Sequence, residues 1–126
     1  MQTKSELKTR VCEAIDRRSD EIVRFATHIL DNPESGFREE KTAKFVQQQF
    51  ENLGILYRSG LGLTGVKAWL DGGIPGPSVA VIGELDSMVV AGHPHANPDT
   101  GAAHACGHHC QIAMILGIAM ALQDSG

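Results

Sequence analysis

The 126-residue sequence has no run of basic residues, no long apolar stretch and few cysteines, and each shortage narrows what the chain can be. Its 11 Lys and Arg are outnumbered by 15 Asp and Glu, for a net charge of −4, which argues against a nucleic-acid partner. Three cysteines, Cys12, Cys106 and Cys110, are too few and too unevenly spaced for a secreted disulfide framework. Free thiols fit a reducing cytosol. The opening MQTKSELKTR has no apolar core and is not expected to act as a signal peptide. The longest apolar run, Ile112 to Leu122, covers 11 residues against the roughly 20 that a membrane span needs. With no repeat, low-complexity tract or interdomain linker, the expectation is a single cytoplasmic domain over residues 1–126, without a membrane partner.

What is present reads as globular: 42% hydrophobic and 21% charged residues. Apolar side chains at Leu7, Val11, Ala14, Ile15, Ile22, Phe25, Ile29 and Leu30 recur at helical spacing, predicting one helix over 3–31. Thr3 and Glu6 form a candidate capping box, and Pro33 ends the helix because its predecessor avoids the α region. A second helix is expected from about Glu39 to Leu53, burying Ala43, Val46, Phe50 and Leu53, with Gly54 as a left-handed C-cap. ILYR (55–58) and VKAWL (66–70) are short β-type runs on either side of SGLGLTG. SVAVIGELD (78–86) reads as a buried strand, pairing with 66–70 as a hairpin across the turn-rich DGGIPGP. Residues 87–105 read as a long loop, and a helix buried on nearly every side begins near Gly107. Helices flanking buried strands indicate a layered α/β domain.

Between His104 and Cys110 the sequence packs three histidines and two cysteines into seven positions. Glu84 and Asp86 stand at the end of the expected strand, the usual place for a site in an α/β sheet. Cys106 and His108 flank Gly107, whose backbone freedom lets a loop turn both toward one point. A cysteine at a helix N-terminus favours the thiolate, and thiolate with imidazole suits zinc, or cobalt, nickel or manganese where carboxylates complete the shell. Cys12 and Cys110 read as small buried hydrophobes, and His28, His93 and His95 as structural or solvated. An alternative from a different class is a small zinc or interaction module that uses His104, Cys106, His108 and Cys110 as a tetrahedral set.

TGVKAWL, GPSVAVIGELDSM and HACGHHCQIAMILGIAMAL resemble successive leading motifs of the aminoacylase-type metallopeptidases. The branch is that of indole-acetyl-amino-acid hydrolases and N-acyl-amino-acid amidohydrolases. NPESGFREEKTAKFVQQQFENLG is similar to the leader and helix that precede them, so the resemblance covers the chain from about residue 20. It implies the front part of a layered α/β/α catalytic domain with a mixed sheet, and a hydrolase of N-acyl amino acids or dipeptides that holds two divalent cations (Zn, Mn, Co or Ni) and assembles as a homo-oligomer. By position, Cys106 and His108 match the first two metal ligands, with Cys106 the candidate bridge. Asp86 matches the catalytic-site carboxylate that orients a ligand. Departures are His109, where the family usually has Asp or Asn, and Glu84-Leu85-Asp86 in place of Asp-x-Asp; the roles of Glu84, His104 and His109 stay open. The family's glutamate base and remaining ligands come later than ALQDSG, so this stretch is expected to be an N-terminal fragment, inactive alone and prone to associate.

Overall fold

The computed structural model describes residues 3–126. Thr3 opens the chain with the expected capping box: its hydroxyl accepts the Glu6 N–H, and the Glu6 carboxylate accepts the Thr3 N–H at 2.7 Å. The long first helix, however, is two helices, α1 (Lys4–Arg17) and α2 (Ser19–Asp31). Arg18 breaks the run: its N–H is shared between the carbonyls of Ala14 and Ile15, and its guanidinium reaches back to Glu21 and across to Asp124. Apolar periodicity continues through the break, which is why the sequence reads as one helix. α2 stops before Pro33 as anticipated, and α3 runs Glu40–Asn52, burying Ala43, Val46 and Phe50. Gly54 is left-handed at φ +66°.

Two strands, β1 (Leu56–Leu61) and β2 (Gly65–Trp69), pair antiparallel. The hairpin expected between 66–70 and 78–82 is therefore replaced by one closed through the glycine-rich turn. Gly60, Gly62 and Leu63, all at positive φ, reverse the chain there. Residues 78–86 are likewise not a buried strand. They have no strand neighbour, and Val79 and Ile82 are each 86% exposed. The segment lies close against the last helix at Gly83: a Cβ there would meet Ile115 Cδ1 at 2.6 Å, so a larger residue would need the Ile115 side-chain tip to move. The 87–105 loop contains a short antiparallel pair, β3 (Met88–Val89) with β4 (Ala102–Ala103).

The last helix, α4 (His108–Ser125), packs against α1, α2 and α3. Ile112 and Leu116 join Ile29, Val46, Phe50 and Ile55 in the core. Two expectations fail on α4 and α1. Cys110, on the same helical stripe as exposed Met114, faces outward, and Cys12 is exposed as well. Neither thiol is core. Helices with two small antiparallel sheets are consistent with an α/β class. Among the described residues no helix is long and apolar enough to cross a membrane.

Asp124 ties the end of α4 to the α1–α2 break through a two-point contact with Arg18, at 2.8 and 3.1 Å. Hydrogen bonding from Arg18 holds the Asp124 carboxyl below its ordinary 3.8. Its stabilising contribution is thus complete above that value and lost as pH falls through the folded-state value. Asp124→Asn is expected to cost about 0.5–1 kcal/mol near neutrality, a surface-pair magnitude. The difference from the parent chain should vanish in acid when denaturant unfolding is followed against pH.

A candidate metal centre at the mouth of the last helix

Glu34, between α2 and α3, positions the site. Its carboxylate accepts the backbone N–H groups of Lys41 and Thr42 and the Thr42 hydroxyl, capping the first turn of α3. Its carbonyl accepts both the Ser87 N–H, at 2.8 Å, and the Ser87 hydroxyl, at 2.9 Å. The two elements meet in an isolated parallel bridge between Ser35 and Ser87. Asp86, one residue earlier, is thereby fixed over the start of α4.

His108 is the first residue of α4, behind Gly107 at φ +85°. Its Nδ1 lies 2.8 Å from the Asp86 carbonyl oxygen and 3.1 Å from Asp86 Oδ1, while Nε2 lies 2.9 Å from Glu84 Oε2. Glu84 is itself oriented by Gln111, one turn into α4: the Glu84 N–H donates to Gln111 Oε1 at 3.0 Å, and Gln111 Nε2 donates to Glu84 Oε2 at 3.4 Å. Glu84, Asp86 and His108 each offer a ligand atom, all within 4.8 Å of one another. The two carboxylates also sit at the positive end of the α4 dipole.

Of the residues singled out by sequence, Asp86 and His108 are brought together. Cys106 is exposed, with its sulfur 2.9 Å from the Met88 thioether on β3, and is not among the three clustered ligands. Cys110 Sγ stands 3.4 Å from His109 Nε2 on the outer side of α4, so His104, Cys106, His108 and Cys110 do not form one cluster among the described residues. His104 is 4% exposed, and neither ring nitrogen has a hydrogen-bond partner among the described residues; His109 Nδ1 is likewise buried and unpaired. Burial first, then the nearby His109 and His108, hold the His104 imidazole down at about 4, and burial lowers His109 too. Both are neutral at neutral pH, the form in which imidazole accepts a cation. Two carboxylates and an imidazole, with orphaned buried imidazole nitrogens on neighbouring residues, form a donor set that fits a divalent cation. Gln111 escaped the sequence reading because an amide 27 positions from its partner leaves no local signal.

Replacing Gln111 by Leu removes both hydrogen bonds to Glu84, and Asp86→Asn weakens the hold on His108. Each should lower Zn or Mn affinity about 10-fold or more, the usual effect of losing a group that orients a ligand. Calorimetric titration of the chain checks this; unchanged affinity in both variants would exclude the cluster as a metal site.

No family model matches the chain, and no solved structure matches it. Curated proteins do. The chain is 34% identical over 124 residues to the protein called amidohydrolase YhaA of Bacillus subtilis (strain 168), covering 96% of this chain and 31% of that protein. It is 36% identical over 98 residues to IAA-amino acid hydrolase ILR1-like 6 of Arabidopsis thaliana, covering 75% of this chain and 21% of the relative. It is 34% identical over 120 residues to N-acyl-L-amino acid amidohydrolase of Geobacillus stearothermophilus, covering 93% and 31% respectively. The chain thus spans a third or less of the length of these relatives. By sequence, it belongs to the amidohydrolase family that includes these N-acyl- and IAA-amino acid hydrolases.

Proposed function

We propose that the polypeptide carrying this chain is a metal-dependent hydrolase of the amide bond in N-acyl or aminoacyl amino acids. In this reading Cys106 and His108 bind two divalent cations (Zn, Mn, Co or Ni) together with residues outside these 126. The observation that carries the reading is the grip on His108. Asp86 engages Nδ1 through both its carbonyl and its carboxylate, which fixes one tautomer and presents Nε2 beside Glu84. When bound, such cations activate water and polarise the scissile carbonyl.

The chain's own residues do the rest. Asp86 orients His108, Gln111 steadies Glu84, and Cys106 supplies a thiol at the same helix mouth. A glutamate that takes the proton from water belongs to the part of the polypeptide beyond this stretch, so the 126 residues alone bind metal weakly and do not turn over. The substrate is a small molecule, and the complete polypeptide assembles with copies of itself. Three free, exposed thiols support a reducing compartment such as the cytosol.

The test is hydrolysis of N-acyl amino acids by a polypeptide of the relatives' length that contains this chain, with and without chelator. Chelation should abolish turnover. Cys106→Ser and His108→Ala should each lower kcat/KM by more than about 100-fold, and Asp86→Asn by about 10- to 100-fold, as expected for ligands and their orienting partners. Chelator-resistant hydrolysis, or full activity in His108→Ala, would overturn the reading.

A further inference from the structure

The three histidines of HACGHH divide into two groups. Both ring nitrogens of His108 are engaged by carboxylates, Nε2 by Glu84 and Nδ1 by Asp86. His104 and His109 stand beside each other instead, with ring centroids 5.5 Å apart and ring planes inclined by 53°. His104 is 4% exposed, and three of the four nitrogens of this pair, both of His104 and Nδ1 of His109, are buried without a hydrogen-bond partner among the described residues. A neutral imidazole has one nitrogen that donates and one that accepts, so both needs of His104 go unmet. Buried polar atoms are nearly always paired, and such a concentration of exceptions calls for a bound group between the rings.

The backbone fixes the pair. His104 follows directly on β4, whose Ala103 is paired with Met88, and His109 is the second residue of α4. Between them the Gly107 N–H donates to the His104 carbonyl at 3.3 Å, and the Cys110 N–H donates to the Gly107 carbonyl at 3.0 Å. The ring spacing is close to what one metal ion imposes: two imidazoles on a tetrahedral zinc, each nitrogen about 2.0–2.1 Å from it, have centres about 5 Å apart. The fourth nitrogen, His109 Nε2, lies 3.4 Å from Cys110 Sγ. With its proton on Nε2, directed at the sulfur, His109 keeps its lone pair on Nδ1, and metal-binding imidazoles are commonly held in this way through the other nitrogen. His93 and His95, with centroids 5.9 Å apart, show no such deficit: His93 Nδ1 accepts the His95 N–H.

We propose that His104 and His109 form a second cation site, distinct from the Glu84–Asp86–His108 cluster, that takes a borderline divalent ion of the zinc class on imidazole nitrogens. The two sites differ in preference. Two carboxylates with one imidazole accept hard ions such as Mg or Mn, whereas a pair of imidazoles selects Zn, Ni or Cu. An ion held there ties the end of β4 to the start of α4. The site does not draw on the hydrolase reading.

The test follows the imidazole nitrogens by NMR in the chain labelled with ¹⁵N at histidine. Added Zn should shift the ring signals of His104 and His109 together, whereas Mg should leave both in place. His109→Asn introduces a residue that the family usually carries at that position and leaves the buried His104 untouched. It should weaken the zinc response of His104 about 10-fold or more, while Glu84→Gln should leave that response unchanged. Zinc shifts confined to His108, or to His93 and His95, would overturn the proposal. So would a response of His104 that survives in His109→Asn at the parent's affinity, or one that is lost in Glu84→Gln. Metal-dependent hydrolysis by the longer polypeptide without a zinc response at His104 sinks this site alone. A zinc response at His104 without any hydrolysis sinks the hydrolase reading alone.

Discussion

Glu34 is the junction on which the remaining geometry depends. Its side chain satisfies amide groups that the first turn of α3 would otherwise leave unpaired, and its carbonyl accepts two hydrogen bonds from Ser87. One residue thus fastens a helix start to the chain segment that carries Asp86. The segment from 70 to 86 has no strand partner to hold it, so this contact, the close approach of Gly83 to α4 and the Gln111 amide are what place two carboxylates over an imidazole. The carboxylate caps α3 while the main-chain carbonyl anchors the segment carrying Asp86, so the two contacts share one residue through different groups.

The electrostatics of the helix mouth follow from that placement. Two carboxylates converge on His108 at the N-terminal end of α4, one at each ring nitrogen. A few residues away, His104 is deprived of both water and partners and stays neutral. An imidazole held by carboxylates and an imidazole without partners thus stand within five positions of sequence. Such a division suits a centre in which some histidines are oriented by carboxylates and others are available as bare nitrogen donors.

Much of the chain's apolar surface is directed outward instead of into its core. Val79, Val81 and Ile82 are exposed on a segment with no strand on either side, and Met88, Val89 and Met114 are exposed as well. Unpaired extended backbone with apolar side chains is a template for pairing. The core itself is small, built where α2, α3 and α4 meet under the β1–β2 hairpin. The chain spans a third or less of the length of the relatives it matches, and over that span this apolar segment has strand-like composition without strand neighbours.

Several features were set locally and could be read from the sequence. The Thr3–Glu6 cap, the stop before Pro33, the Ala43–Val46–Phe50 face and the start of α4 depend on neighbours within a turn or two. Asp86 and His108 could be singled out from strand-end and helix-mouth chemistry. Tertiary structure decided the rest. The break at Arg18 answers to Asp124, 106 positions away, and the hairpin partner was chosen by a turn that reverses the chain sooner than DGGIPGP could. Cys110 faces out because α4 spends its apolar stripe on α1, α2 and α3, and a helix apolar all round gives no sign of which side that will be. Glu84, Gln111 and Glu34 acquire their roles only when folding closes distances of 27 to 53 residues; hydrogen bonds of that span leave no periodicity behind.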